Sequence, residues 1–230
     1  MCGRYAQFTP PEAIAEIFGA TLGIADGSPR YNAAPMQWLP VIRQRPSGER
    51  IVQPLRWGLL PSWAKDETIA NRLINARAET LAEKPSFRSA LRKRRCIVPA
   101  DGFYEWAKRP DGKQPFYIHA SDGTLLAFAG LWERWTRPDD GEIIDSFTIV
   151  TTAANGRVRP LHDRMPVILA PEAVARWLDP ASTPETASDL LGPCPDARLA
   201  LHPVTRAVGN VRNEGPELIA AISEEATHTH

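Results

Sequence analysis

The sequence is short of cysteine, of net charge and of any long apolar run, and each shortage narrows what the chain can be. Its three cysteines, Cys2, Cys96 and Cys194, are odd in number and far apart. That argues against a disulfide framework or a cysteine metal site and fits a reducing, cytoplasmic setting. No stretch approaches the roughly 20 apolar residues that a spanning helix needs, so no membrane association is expected. Met1 to Pro10 is polar and lacks the apolar centre of a secretory leader. No repeat at a solenoid period and no low-complexity tract is present. The five histidines include no pair at convincing metal-ligand spacing, so no metal or cofactor is expected.

What is present is an ordinary globular composition, 43% hydrophobic and 23% charged over 230 residues, enough to bury a substantial core. The zero net charge conceals an asymmetry: residues 1–115 hold 18 Lys/Arg against 11 Asp/Glu, and residues 116–230 hold 9 against 16. No boundary separates these halves, which is consistent with opposite faces of one body. Arg88, Arg92, Lys93, Arg94 and Arg95 form a tight basic cluster. A solvated helix face accounts for such a run, although the planar fork of arginine also suits phosphate.

Thr9-Pro10-Pro11-Glu12 predicts a capped first helix that ends near Gly19. Tyr31 to Pro40 reads as a Pro-rich loop or extended stretch, followed by strands from Val41 and over Ile51 to Leu60. Asn75 to Ala78 precedes a short helix, and a second helix is expected from Pro85 to Arg94. From Cys96 the pattern becomes short apolar runs: Cys96–Val98, Gly102–Trp106, Phe116–His119, Leu125–Trp132, Phe147–Thr152 and Met165–Leu169. Asp111-Gly112, Asp122-Gly123 and Asp140-Gly141 mark turns, the first two as hairpins. Short helices return over Glu172–Leu178, Pro184–Leu191 and near Pro216–Ile222. Strands that do not alternate regularly with long helices argue against a doubly wound parallel sheet. The expectation is a single α+β domain over residues 1–222, with a largely antiparallel, barrel-like β core flanked by short helices, and a disordered tail over 223–230.

Five places carry chemistry. Cys2 stands directly behind Met1, and methionine before so small a residue is usually removed. A terminal cysteine presents an α-amine (ordinary pKa ~7.7–8.0) and a thiol (~8.5) on one residue. Such a 1,2-aminothiol condenses with an aldehyde through the amine and then closes a five-membered thiazolidine through sulfur. Asn75-Ala76-Arg77-Ala78-Glu79 sets an amide, a cation and a carboxylate among small residues, where Asn75 or Arg77 would serve equally to cap a helix. Asp101-Gly102-Phe103-Tyr104-Glu105-Trp106 puts Glu105 on one strand face with Phe103, and Tyr104 with Trp106 on the other. Burial there would raise the carboxyl pKa for acid–base work, while exposure would make Glu105 an ordinary surface residue. His162, before an apolar strand, suits proton transfer or a structural hydrogen bond. His119 and His202 read as structural, and His228 and His230 as tail. Of the two tryptophans in Arg56-Trp57-Gly58-Leu59-Leu60-Pro61-Ser62-Trp63, Trp57 reads as core, and Trp63 as a surface on which an unpaired base can stack.

These segments, with Tyr31-Asn32-Ala33-Ala34-Pro35, Cys96-Ile97-Val98-Pro99-Ala100 and His162-Asp163-Arg164-Met165-Pro166, resemble the SRAP (SOS response-associated peptidase-like) family. The likeness runs in order from Met1-Cys2-Gly3-Arg4-Tyr5 to Val208-Gly209-Asn210. Any one motif is weak, but five in sequence are specific. The resemblance implies a protein that crosslinks to abasic sites in single-stranded DNA, a monomer without cofactor, nucleoid-associated when bound. It further implies that Cys2 is the crosslinking residue and that Asn75, Glu105 and His162 complete the active site. Arg4, Asn32, Pro35, Trp63, Arg77 and Trp106 match positions near the DNA. Ala64 departs from the pattern, because some relatives carry a second tryptophan there. Competing readings are a glutamine amidotransferase with an N-terminal cysteine nucleophile, a cysteine peptidase that uses Cys2, Glu105 and His162, and a passive single-strand-binding module.

Overall fold

The apolar runs after Arg94 become strands, and what they lie against explains why they read as continuous. The computed structural model describes residues 2–23 and 27–222; the expected tail over 223–230, with His228 and His230, lies outside the described residues. The strands are β1 (Tyr5–Gln7), β2 (Thr21–Leu22), β3 (Arg30–Ala33), β4 (Trp38–Gln44), β5 (Arg50–Trp57), β6 (Asn75–Arg77) and β7 (Arg95–Ala100). They continue with β8 (Gly102–Arg109), β9 (Gly112–Ala120), β10 (Leu126–Thr136), β11 (Ile143–Ala153), β12 (Arg164–Pro166) and β13 (Leu199–Pro203). Among the described residues four short α-helices accompany them, with several 3-10 turns: α1 (Pro11–Phe18), α2 (Arg88–Lys93), α3 (Pro171–Leu178) and α4 (Pro184–Ser188).

Strands β11, β10, β7, β4 and β5 pair antiparallel in that order, and a parallel contact of Ser146 and Phe147 with Arg56 and Trp57 brings β5 back to β11. The result is a closed five-stranded barrel, a shape that leaves no free edge along its own wall. A second sheet, in order β13-β9-β8-β1-β3, is antiparallel throughout. Tyr5 and Phe103 of this sheet meet the barrel's Trp57 and Phe128, with ring centroids 5.1 Å apart for Tyr5–Trp57 and 5.9 Å for Phe103–Phe128. Cys96 and Val98 of β7 point into that core, while Ile97 points outward to a second cluster built from the helices. Both faces of β7 are therefore covered, as a strand buried on two sides requires.

The single α+β domain with a largely antiparallel barrel core is as expected; local readings differ. No side chain caps α1, and Thr9 is bonded to Asp101. Asp101 also accepts from Phe8 N at 2.7 Å, tying the end of β1 to the β7–β8 corner. Gly19 does close α1, in the left-handed region at φ 57°. Asp111-Gly112 and Asp140-Gly141 join the hairpins β8–β9 and β10–β11. Asp122-Gly123 is not a hairpin, because β9 and β10 belong to different sheets and the turn carries the chain between them. The stretch from Tyr31 contains strand β3 and the start of β4, and Asn75 opens the short strand that leads into the expected helix, a single 3-10 turn over Ala78–Thr80 that no side chain caps. Arg95 is not part of a solvated face: at 5% exposure, its guanidinium donates to the carbonyls of Leu91, Trp177, Asp179 and Ser182. Among the described residues, no helix is long and apolar enough to cross a membrane.

Candidate active site

Cys2 enters the fold because the chain ahead of β1 continues the ladder with β8. Tyr5 lies opposite Phe103, and Tyr104 N donates to Arg4 O at 3.1 Å. Two more steps in this register set Gly3 opposite Glu105. Phe103 and the buried Glu105 share one side of β8, and Cys2, ahead of β1, is fully buried in the core cluster that holds Tyr5 and Phe103. The Asn75 amide, on β6, donates to Cys2 O at 3.0 Å and to Ile74 O at 2.7 Å. Trp57 Nε1 holds the same Ile74 carbonyl at 2.9 Å. Asn75 Oδ1 is buried without a hydrogen-bond partner among the described residues.

Burial sets the electrostatics. Glu105 is 4% exposed, and desolvation pushes its carboxyl up to about 7, with the charge of Asp163 acting in the same direction. Desolvation, reinforced by Glu105, drives the Cys2 thiol well above its ordinary value, so the sulfur carries its proton. That differs from the thiolate of cysteine peptidases, whose pKa is depressed. His162 Nδ1 accepts from Arg164 N at 2.9 Å. A nitrogen that accepts a backbone N–H is unprotonated, so the 2.9 Å approach of Asp163 Oδ1 to it is a contact and not a charged pair. Burial lowers the His162 pKa, and the neutral ring carries its proton on Nε2.

The expected residues divide. Cys2 is hydrogen-bonded to Asn75 and lies in the field of Glu105, and Asp163, next to His162, reaches the field of Glu105 in turn. Arg77 is exposed two residues along β6 and shares the side of Asn75. Trp63 is 55% exposed on its loop, Pro35 sits half-buried before Met36 (φ 73°), and Ala64 is buried. Arg4 and Trp106 belong to the opposite face of β1 and β8, where Trp106 packs with Tyr104, Val208 and Leu218. Asn32 is 1% exposed; its Oδ1 accepts from Arg4 at 2.8 Å, and its Nδ2 donates to Val208, Asn210 and Asn213 carbonyls. Arg4 also donates to Val208 O at 2.8 Å. The pair is thus a clamp on residues 208–213. Asn32→Ala is expected to cost about 1–2 kcal/mol, because the part-buried bonds to the Asn210 and Asn213 carbonyls are lost while Arg4 still serves Val208 O. It should also speed amide hydrogen exchange over 208–213 specifically.

A family model, SOS response associated peptidase, matches residues 1–211. The chain belongs to the SRAP family. This SRAP chain is 44% identical over 223 residues to the abasic site processing protein YoqW of Bacillus subtilis strain 168, covering 95% of itself and 99% of YoqW. It is 35% identical over 229 residues to the abasic site processing protein YedK of Escherichia coli K12, covering 96% and 100%. A crystal structure of a Bacteroides thetaiotaomicron protein superposes with TM-score 0.88 at 27% identity, covering 96% of the SRAP chain and 100% of that one.

Two features of the SRAP site escape the motif reading. Arg164 grips Glu79 through two oxygens, at 2.6 and 2.9 Å, and donates to Thr151 O at 2.7 Å. It thereby ties the Asn75 segment to the His162 segment across β11. Both residues lie inside motifs already singled out, but nothing in the spacing pairs them. The buried Tyr5 hydroxyl has no hydrogen-bond partner among the described residues. Its acidity is suppressed by desolvation and then by the nearby Cys2 and Cys96 sulfurs, and no sequence signal marks it.

Proposed function

We propose that the protein recognises abasic sites in single-stranded DNA and captures them covalently at Cys2 once Met1 has been removed. The observation that carries this reading is the buried Cys2 held by Asn75 beside a carboxyl with a pKa of about 7. The names of YoqW and YedK support it, since both are abasic site processing proteins.

In the reaction, the Cys2 α-amine attacks the C1′ aldehyde of the ring-opened deoxyribose. Protonated Glu105 gives its proton to the departing hydroxyl, and water leaves as the C=N bond forms. The protonated thiol then adds across that bond: sulfur bonds to C1′, its proton passes to nitrogen, and a thiazolidine closes. One water is lost overall and no redox partner is needed. The raised thiol pKa supports this order, with the amine first and sulfur second. Asn75 limits the freedom of the chain end, a proximity effect. His162, with its proton on Nε2, donates to the sugar oxygen that ring opening exposes. At the imine, loss of a C2′ proton with expulsion of the 3′ phosphate gives a competing lyase branch. Trp63 stacks a flanking base and Arg77 meets a phosphate. Pro35 borders the path of the strand, while Arg4, Asn32 and Trp106, on the other face of the sheet, act through the segment 208–213 that Arg4 and Asn32 clamp.

The test is to incubate protein of verified mass, lacking Met1, with single-stranded DNA containing one abasic site, and then to denature it. A slow-migrating species that is absent with intact DNA is expected. Release of glutamate from glutamine, with no adduct, would transfer the site to amidotransferase chemistry and overturn the proposal.

A further inference from the structure

The barrel mouth away from Cys2 is a basic hollow that the reaction above leaves unused. Its cavity of about 540 Å³ is walled by Arg43, Arg45, Lys93, Arg94, Arg134 and Trp132. Trp132 lies four residues beyond Phe128 on β10, about 13 Å farther along the strand from the rings of Tyr5 and Phe103. The Arg43 guanidinium stacks 4.4 Å from the Trp132 ring centroid. Trp132 N in turn donates to Arg94 O at 2.8 Å, so the aromatic floor and the cationic wall form one built unit.

Charge in this hollow does not balance. Asp145 alone serves both Arg43, at 3.5 Å, and Arg134, at 2.8 Å. Glu133 takes Arg94 and Glu49 takes Arg45, each at 2.7 Å. Lys93 has no carboxylate partner among the described residues, and the buried Arg95 beneath is met by backbone carbonyls. Burial lowers the Arg43 pKa, and the neighbouring Arg134 and Arg45 charges press in the same direction. Arg88 and Arg92, exposed and one turn apart on α2, carry the positive strip beyond the hollow. A strip longer than one phosphate suits a polymer with repeating phosphates better than a single small anion.

We propose that this mouth is a second nucleic-acid contact, which binds phosphodiesters of a single strand outside the lesion pocket. The choice of polymer rests on the function proposed above, but the hollow itself does not. The test uses the full chain and an Arg45→Ala/Lys93→Ala double variant, whose substituted residues lie outside the Cys2 pocket and are exposed. Lesion-free oligothymidylate of 20 nucleotides should bind the variant about tenfold more weakly. The log–log salt slope should flatten by roughly 1.4, on ~0.7 per phosphate lost. Crosslinking of a four-nucleotide abasic substrate, too short to reach the mouth, should be unchanged. The Trp132 indole N–H resonance, assigned with Trp132→Phe, should shift with the 20-mer in the parent chain alone.

Equal binding of the 20-mer by parent and variant would overturn the proposal. So would a Trp132 shift that inorganic pyrophosphate reproduces and the 20-mer does not, which would assign the hollow to a free phosphate compound. Failure of crosslinking in the parent chain, with 20-mer binding still sensitive to the double variant, would sink the lesion chemistry and leave this contact standing.

Discussion

With Cys2→Ala, the adduct that survives denaturation is expected to disappear, falling at least about 100-fold, while affinity for the same abasic strand persists. Alanine is as readily exposed by Met1 removal as cysteine, so the variant keeps an α-amine and can still form the imine. It lacks only the sulfur that closes the ring. Borohydride added during the incubation should therefore trap an imine in Cys2→Ala that plain denaturation loses. Cys2→Ser separates the steps further, because a hydroxyl adds to the imine to give an oxazolidine that reverts more easily than a thiazolidine. An intermediate yield is expected from it. The comparison is fair to the fold: Cys2 belongs to the main core, and removing one sulfur atom should cost about 1 kcal/mol, within the usual range for a point substitution. A full, stable adduct from Cys2→Ala would move the chemistry to another nucleophile and end the proposal. Loss of lesion binding along with the adduct would instead reduce Cys2 to a packing residue.

Much of the arrangement around the candidate site is legible in the sequence, and the reasons are physical. The period of two along Phe103-Tyr104-Glu105-Trp106 placed Glu105 with Phe103 and Trp106 with Tyr104, and the core clusters separate Phe103 from Tyr104 and Trp106 in that way. Continuous apolar runs marked β7 and β10 because both faces are covered. What escaped depends on contacts with no local signal. Closure of the barrel rests on a parallel pairing of β5 with β11, some 90 residues apart in the chain. Asn32 looked like a ligand contact, yet its partners are carbonyls 176 to 181 residues away. Strand β13, half-buried over most of its length, shows neither clean alternation nor an apolar run. Thr9 carried a capping signal that lost to Asp101, a stronger acceptor supplied by the β7–β8 corner.

Glu105→Gln is expected to slow adduct formation by about 10²–10⁴, the usual contribution of a positioned acid–base group, and to change the form of its pH dependence. The parent reaction needs a neutral amine and a protonated Glu105 together. With the carboxyl at about 7 and the amine near its ordinary ~7.7–8.0, the rate should form a bell. It climbs through the lower of these values, peaks between about 7 and 8, and declines above, both limbs belonging to the pair. Glutamine keeps the shape and one hydrogen-bond donor but cannot shed a proton, so the declining limb should vanish while the amine limb remains. Stability gives an independent reading of the same group. A carboxyl whose folded pKa is raised from 4.5 to about 7 favours the folded state fully below 4.5. That advantage is lost as pH rises through 7. Parent protein should accordingly lose melting temperature between pH 5 and 8 by more than Glu105→Gln does. A bell that survives intact in Glu105→Gln would remove Glu105 from the proton transfer, whatever the melting curves show. Equal melting losses in both proteins would mean that burial does not hold the proton on this carboxyl.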